Sequence, residues 1–162
     1  MTDWVVGLAG WSGSGKTTLL AKLLARLKGD GIHASVIKRA HHDFTVDQPG
    51  KDSHTFRQAG AHEVCVASRR RRVLMREIDE EPSLEELLAW LAPCDVVFVE
   101  GFKREQHSKL AISADTQWPD VPGIKALIGT RAPPQTSLPF FHRDAVEDIA
   151  AWLYEHRRAF SW

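Results

Sequence analysis

The sequence predicts an α/β fold, a mainly parallel sheet flanked by helices and carrying a β-hairpin extension. Three observations support that reading. A strand-like run, Trp4–Ala9, passes through a glycine-rich loop into a stretch with Leu19, Leu20, Leu23, Leu24 and Leu27 at helical spacing. Strand-like and helix-like runs then alternate along the chain, the order that yields parallel strands joined by right-handed crossovers. Asp95–Val99 is a nearly continuous apolar run, as expected of a strand covered on both faces.

The elements follow in order. The first strand is read as Trp4–Ala9 and the first helix as Lys16–Lys28, stopped where Asp30-Gly31 turns the chain. Ile32–Lys38 is a second strand, and Arg39–Lys51 is irregular. Asp52–Ala59 reads as a short helix capped by Asp52 or Ser53 and ended at Gly60. Glu63–Ala67 and Val73–Ile78 make a hairpin that turns through Arg69–Arg72. Ser83 caps a helix to about Leu91, with Glu86 completing a capping box. The apolar strand ends at Glu100-Gly101-Phe102-Lys103. Lys109–Ser113 and Lys125–Ile128 are further strands, and the stretch from Gln117 to Gly123 between them is looped. Pro133-Pro134 and Pro139 mark another loop. Asp144 then caps a last amphipathic helix, Ala145–Arg157, with Val146, Ile149, Ala150 and Leu153 inward.

Composition narrows the function classes. A chain of 162 residues is expected to form a single domain over 1–162, burying roughly two thirds of its unfolded surface. Lys plus Arg and Asp plus Glu both total 21, so no net charge advertises binding to nucleic acid or membrane. No apolar run approaches the roughly 18 residues of a membrane span. The first residues, Met-Thr-Asp-Trp, show neither a basic nor an apolar leader segment. Cys65 and Cys94, far apart and in apolar surroundings, are expected to be buried free thiols, as suits a reducing cytoplasm.

The chemistry is concentrated in Gly10-Trp11-Ser12-Gly13-Ser14-Gly15-Lys16-Thr17, which fits G-x-x-x-x-G-K-[ST], the phosphate-binding loop of P-loop NTPases. Glycines allow the sharp turn and let several backbone N–H groups converge on one anion. The helix that begins near Lys16 adds the positive end of its dipole. Gly10, Ser12, Gly13, Ser14, Gly15, Lys16, Thr17 and Thr18 are therefore the expected phosphate cradle. Lys16 would reach the β- and γ-phosphates, and the Thr17 hydroxyl would ligate Mg²⁺.

Other residues at strand ends join the list, because ligands in such sheets bind beyond the carboxyl ends of the strands. Glu100 closes the apolar strand where these proteins hold Mg²⁺ or orient a water. An aspartate is usual there, so Glu100 is a departure. Gly101 and Lys103 follow it, and Lys103 and Arg104 would face phosphate or a charged partner. His41 and Asp43, in His41-His42-Asp43, are expected at the same edge, contacting phosphate or a metal. Asp52 has two readings, helix cap and second Mg²⁺ ligand. Asp47-x-x-Gly50 spells D-x-x-G, yet it follows no apolar strand, and Pro49-Gly50 makes a turn by itself. Arg69–Arg72 reads as a solvated turn or, less simply, as an anion clamp. The chain has no asparagine, so it cannot hold an N-K-x-D guanine reader. Gly129-Thr130-Arg131, past a strand end, are candidates for that task.

Taken in order, the P-loop with Thr18, Lys38-Arg39-Ala40-His41-His42-Asp43, Asp47-x-Pro49-Gly50-Lys51-Asp52-Ser53, Ala59-Gly60-Ala61 and Glu100-Gly101-Phe102-Lys103 resemble the MobB family of molybdopterin-guanine dinucleotide biosynthesis adapters. The likeness covers the chain up to about Lys109. It implies a GTP-binding protein that uses Mg²⁺ and is at most a weak GTPase. It also implies a homodimer built through extended β-structure, which the Val64–Ile78 hairpin would suit. The implied partner is the guanylyltransferase that joins GMP to molybdopterin, with molybdopterin itself a further ligand to consider. Two other readings share the loop. One is a small-molecule kinase, which needs an arginine-bearing lid. The other is a metal-insertion GTPase, which would use His41-His42 as ligands.

Overall fold

Five apolar residues with no polar interruption form β1 (Val5–Ala9), and all five are buried. The structure, a computed structural model, describes residues 4–40, 44 and 46–162. It divides into two compact units, Met1–Arg39 with Leu84–Trp162, and Ala40–Ser83.

In the first unit β1 is joined through the loop to α1 (Lys16–Gly29), then β2 (Ala34–Lys38). After the second unit come α3 (Leu84–Trp90), β5 (Val96–Glu100), β6 (Lys109–Ile112), β7 (Ile124–Gly129), β8 (Phe140–His142) and α4 (Val146–Glu155). The six strands lie in the order β2-β5-β1-β6-β7-β8. Every pairing is parallel, with Leu8 opposite Glu100 and Leu110, and Lys38 opposite Glu100. All strands therefore end at one edge.

Alternation along the strands sorts two cores. Val6, Leu8, Val96, Phe98, Leu110, Ile112 and Ile128 pack with Leu19, Leu20, Leu23 and Leu27 of α1 and Ile149 and Leu153 of α4. Two ion pairs, Lys22–Asp144 at 3.3 Å and Arg26–Glu147, link the two helices. The opposite face carries Val5, Ile37, Val97 and Val99 against Leu84 and Leu88 of α3 and against Phe102. Lys109, on this side of β6, is fully buried, and its ammonium donates to the carbonyls of Glu105, His107 (2.7 Å) and Pro122 (3.1 Å). One buried cation thus pins the two loops flanking β6, which is how a buried lysine is tolerated. His107 lies beside it. A Cβ on Gly7 would stand 2.5 Å from His107 Nε2, so the glycine is what lets the ring pack on the sheet.

α1 ends where the sequence says. Gly31 N–H donates to the Lys28 carbonyl (3.1 Å) and Ile32 N–H to that of Leu27 (3.0 Å), a Schellman turn that needs the positive φ of Gly31. After β5 the chain reverses through two left-handed residues, Gly101 (φ 107°) and Phe102 (φ 50°). Phe102 is buried, and the Arg39 guanidinium lies 5.1 Å from its ring centroid. Burial of the ring and the cation–π contact hold a non-glycine residue in a region it seldom adopts.

The second unit holds α2 (Asp52–Gln58) packed on β3 (Glu63–Ala67), which pairs antiparallel with β4 (Arg72–Arg76). The Ser68 hydroxyl accepts from the N–H groups of Arg70 and Arg71, making a tight turn whose arginines are all exposed, the solvated reading.

Four expectations need correction. The segment after Pro139, read as loop, is β8. Asp144 does not cap α4, whose N-cap is Ala145 with no side-chain bond; its carboxylate is taken by Lys22. Neither Asp52 nor Ser53 caps α2, because Lys51 is the N-cap and Asp52 the first helical residue. Both cysteines are free thiols, but Cys65 is exposed, since a two-stranded ribbon leaves one face open, and Cys94 is only partly buried.

Two predictions follow from this packing. Burial, and then the Lys109 charge, hold the His107 imidazole down to about 4, and neither ring nitrogen has a hydrogen-bond partner among the described residues. The unfolded chain, titrating near 6.5, binds the proton that the folded chain refuses. Unfolding free energy is therefore expected to be steady above pH 6.5 and to fall by on the order of 3 kcal/mol as pH drops toward 4. Urea titrations should show that fall, and His107→Leu should remove most of it. At the β5 turn, a Cβ on Gly101 would meet Arg39 Cβ at 2.6 Å, whereas Gly31, also at positive φ, lies beside open space. Gly31→Ala is expected to cost about 1 kcal/mol, and Gly101→Ala about 1–3 kcal/mol more, in the same unfolding measurement.

Candidate functional site

The loop from Gly10 to Gly15 leaves the carboxyl end of the central strand, so its position follows from the burial of β1. Its glycines are required for different reasons. A Cβ on Gly10 would run into the Ile112 carbonyl, because β6 ends beside it. Gly13 (φ 76°) and Gly15 (φ 92°) take left-handed conformations, and nothing lies within 4 Å of where a Cβ on Gly13 would be. Gly15 is the N-cap of α1; it offers no side-chain cap, and the first turn of α1 has no acidic residue. The helix thus presents its first N–H groups and its positive dipole end with no internal carboxylate to answer them.

Around this loop the charges are mostly positive. The Lys16 ammonium donates to the carbonyls of Gly10 (3.1 Å) and Trp11 (2.7 Å) and lies 3.5 Å from Ser14 Oγ. Burial lowers its pKa, Glu100 opposes that, and Lys103 and Lys38 push it further down. Glu100 is the counter-charge: its carboxylate, only 17% exposed, stands 3.7 Å from Lys38 Nζ. Lys103 lies over the Trp11 ring at 5.6 Å. Lys16, Glu100, Gly101 and Lys103 are thus brought to the one loop, as the strand-end argument expects. Ser12, Thr17 and Thr18 are exposed there, and Ser14 is buried.

His41 and Asp43 lie outside the described residues. Asp52 belongs to the second unit, where it opens α2 on the surface. In that unit Asp47 is bound through both oxygens by Arg57 (3.1 and 3.2 Å), and its side chain is 3% exposed. Arg57 also reaches Glu77 at 2.7 Å. Asp47 therefore ties the loop before α2 to the helix and to the end of the hairpin, and the guanidinium holds its carboxyl below the usual carboxylate range.

One residue at the loop was missed in the sequence. Arg143, just past β8, donates from Nη2 to the Ser14 carbonyl at 2.8 Å, and a Cβ on Gly15 would stand 2.0 Å from that nitrogen, so the guanidinium would have to move. Its backbone N–H is held by the Gly129 carbonyl at 2.9 Å. Recognition of Phe140–His142 as a strand would have found it, since the residue after a parallel strand belongs to the binding edge.

The residues present fit a polyphosphate with a divalent cation. The cradle is of glycine, the helix end is uncapped, three lysines and an arginine surround it, and Thr17 and Glu100 carry the hydroxyl and carboxylate oxygens that a divalent cation would take. Among the described residues no three His, Cys, Asp or Glu side chains form a metal-holding group by themselves, so a cation here would share its ligands with phosphate oxygens.

Comparison with known proteins agrees with this geometry. The model of the family described as molybdopterin guanine dinucleotide synthesis protein B, MobB, matches residues 5–126. A molybdopterin-guanine dinucleotide biosynthesis adapter protein of Escherichia coli is 44% identical over 117 residues, 68% of this chain and 66% of that one. This chain thus spans just under two thirds of that relative's length. The protein of the same name in Haemophilus influenzae is 39% identical over 122 residues, 74% of this chain and 68% of that one. The crystal structure of a MobB homologue from Bacillus stearothermophilus shares the fold, with a TM-score of 0.75 at 24% identity over 95% of this chain and 97% of that one. No described helix is long and apolar enough to cross a membrane. On the strength of the family model and these relatives, the chain is a member of the MobB family, with its nucleotide-binding P-loop fold.

Proposed function

We propose that this chain is a GTP-holding adapter of molybdopterin guanine dinucleotide biosynthesis, working in the cytoplasm beside the guanylyltransferase that joins GMP to molybdopterin. The observation that carries the reading is the cation-rich loop on an uncapped helix, in a chain whose relatives bear the adapter name. Lys16 holds the terminal phosphates and gives up its loop carbonyls to do so. Thr17 and Glu100 are the residues that would hold Mg²⁺, which when bound screens the phosphate charge. Gly101 keeps the β5 turn tight, so that Lys103 returns toward the loop.

A homodimer completes the proposal, with the outer face of the β3–β4 ribbon as its contact. Cys65 and Leu74 are cross-strand partners on that face, and Leu74 is 58% exposed there.

Two outcomes are expected. In calorimetric titrations with GTP and Mg²⁺, the full chain should bind one nucleotide per chain, and Lys16→Ala should weaken binding by at least tenfold with an unchanged melting curve. No binding by the unaltered chain would overturn the reading. Leu74→Asp should convert dimer to monomer in sedimentation equilibrium without loss of nucleotide binding, and a monomeric unaltered chain would remove the dimer from the proposal.

A further inference from the structure

We infer that the turn after β8 reads the base of the nucleotide, with the Asp144 carboxylate as the group that specifies guanine. The inference rests on the reading of the loop as a nucleotide site and adds the base corner that the missing N-K-x-D leaves unassigned.

β7 and β8 are parallel neighbours that end together, Gly129 opposite His142. The next residue, Arg143, donates to the Ser14 carbonyl at 2.8 Å, so this turn touches the phosphate loop directly. Between them lies an open pocket of about 110 Å³ lined by Gly15, Thr18, Leu19 and Lys22 of α1 and by Arg143 and Asp144. It starts at the last glycine of the loop and runs to Lys22, about 10 Å along the helix. A nucleotide whose phosphates sit at Gly15 must send its sugar and base away from the loop, and this pocket offers a surface continuous with the phosphate site.

The chemistry then selects the base. The Watson–Crick edge of guanine presents two donors side by side, the 2-amino group and N1–H, followed by an acceptor, O6. The matching protein edge is two acceptors and then a donor. An ionised carboxylate supplies only acceptors and an ammonium only donors. Asp144 and Lys22 are such a pair, 3.3 Å apart, with side chains 66% and 48% exposed at the pocket. Lys22 uses one carboxylate oxygen, and each oxygen carries two lone pairs, so capacity remains for the base. Adenine would set its N1 acceptor against the same carboxylate, and repulsion would exclude it.

A plain helix staple is the competing account, and the neighbouring Arg26–Glu147 pair shows what one looks like: it joins the same two helices, and neither residue lines this pocket. The test compares the full chain with Asp144→Asn and Glu147→Gln, titrating each with the magnesium salts of GTP, ITP, ATP and XTP. The unaltered chain should favour GTP over ITP, which lacks the 2-amino group, and over ATP, by about tenfold or more. Asp144→Asn should lose at least tenfold for GTP and gain for XTP, whose C2 oxygen accepts from the new amide. Glu147→Gln should keep the original preference. A variant that weakens all four alike, or none, would overturn the inference while leaving nucleotide binding intact. Failure of the unaltered chain to bind any of the four would instead overturn the nucleotide reading and this inference with it. Melting curves of all three chains separate lost recognition from lost folding, and the gain for XTP cannot come from damage.

Discussion

A parallel sheet covered on both faces can carry polar side chains only at its ends, and that constraint decides where the chemistry of this chain lies. β1 has none along its length, and β5 has none before Glu100. Lys109 shows what an exception requires. It is buried at the start of β6 and survives there because three carbonyls close round its ammonium. With such exceptions costly, Lys38, Glu100, Lys103 and the loop are driven to the one edge where all the strands stop. The same packing explains the glycines. The end of β6 leaves no room for a side chain at Gly10, and the left-handed backbone of Gly15 strains any other residue.

Concentrating polar groups at one edge creates an electrostatic imbalance. Lys16 is partly desolvated, and Lys38 and Lys103 add to the cost of its charge, with Glu100 as the opposing carboxylate. The end of α1 adds its own positive field and has no acidic side chain in its first turn to offset it. A multiply charged anion relieves these terms together, so anion binding and the stability of this edge are linked quantities. The loop carbonyls of Gly10 and Trp11 are partners that Lys16 can exchange for phosphate oxygens without first being drawn out of water.

Much of this was legible in the sequence, because the signals were local. The strand–loop–helix unit, the Schellman stop at Gly31, the hairpin and the strand ending at Glu100 each rest on residues adjacent in the chain. What was hidden depends on contacts remote in sequence. Phe140–His142 is only three residues long and follows a proline-rich stretch; it is a strand because β7 lies beside it. With β8 unseen, Arg143 and Asp144 had no reason to be placed at the loop, and Asp144 took the local reading of a helix cap. Asp47 shows the reverse case, a suggestive spelling whose carboxylate is committed to Arg57. Cys65 was read by its apolar neighbours, and alternation in a two-stranded ribbon turned it outward.

The lysines of this edge are therefore not interchangeable. Lys16 sits on the loop and is tuned by desolvation, so substituting it acts on phosphate. Lys38 is paired with Glu100, so substituting it acts on that carboxylate. Lys22 stands two turns into α1 beside Asp144, and the chemistry of that pair fits a neutral edge of two donors and an acceptor better than it fits a phosphate, which a carboxylate would repel. A site built this way separates its two tasks in space. Affinity comes from the cations at the ends of β1, β2 and β5, and selectivity from the corner at the ends of β7 and β8, with Arg143 bonded to both. Both corners stand on one sheet, so their spacing is fixed by strand pairing, and a nucleotide that satisfies one is already aligned for the other.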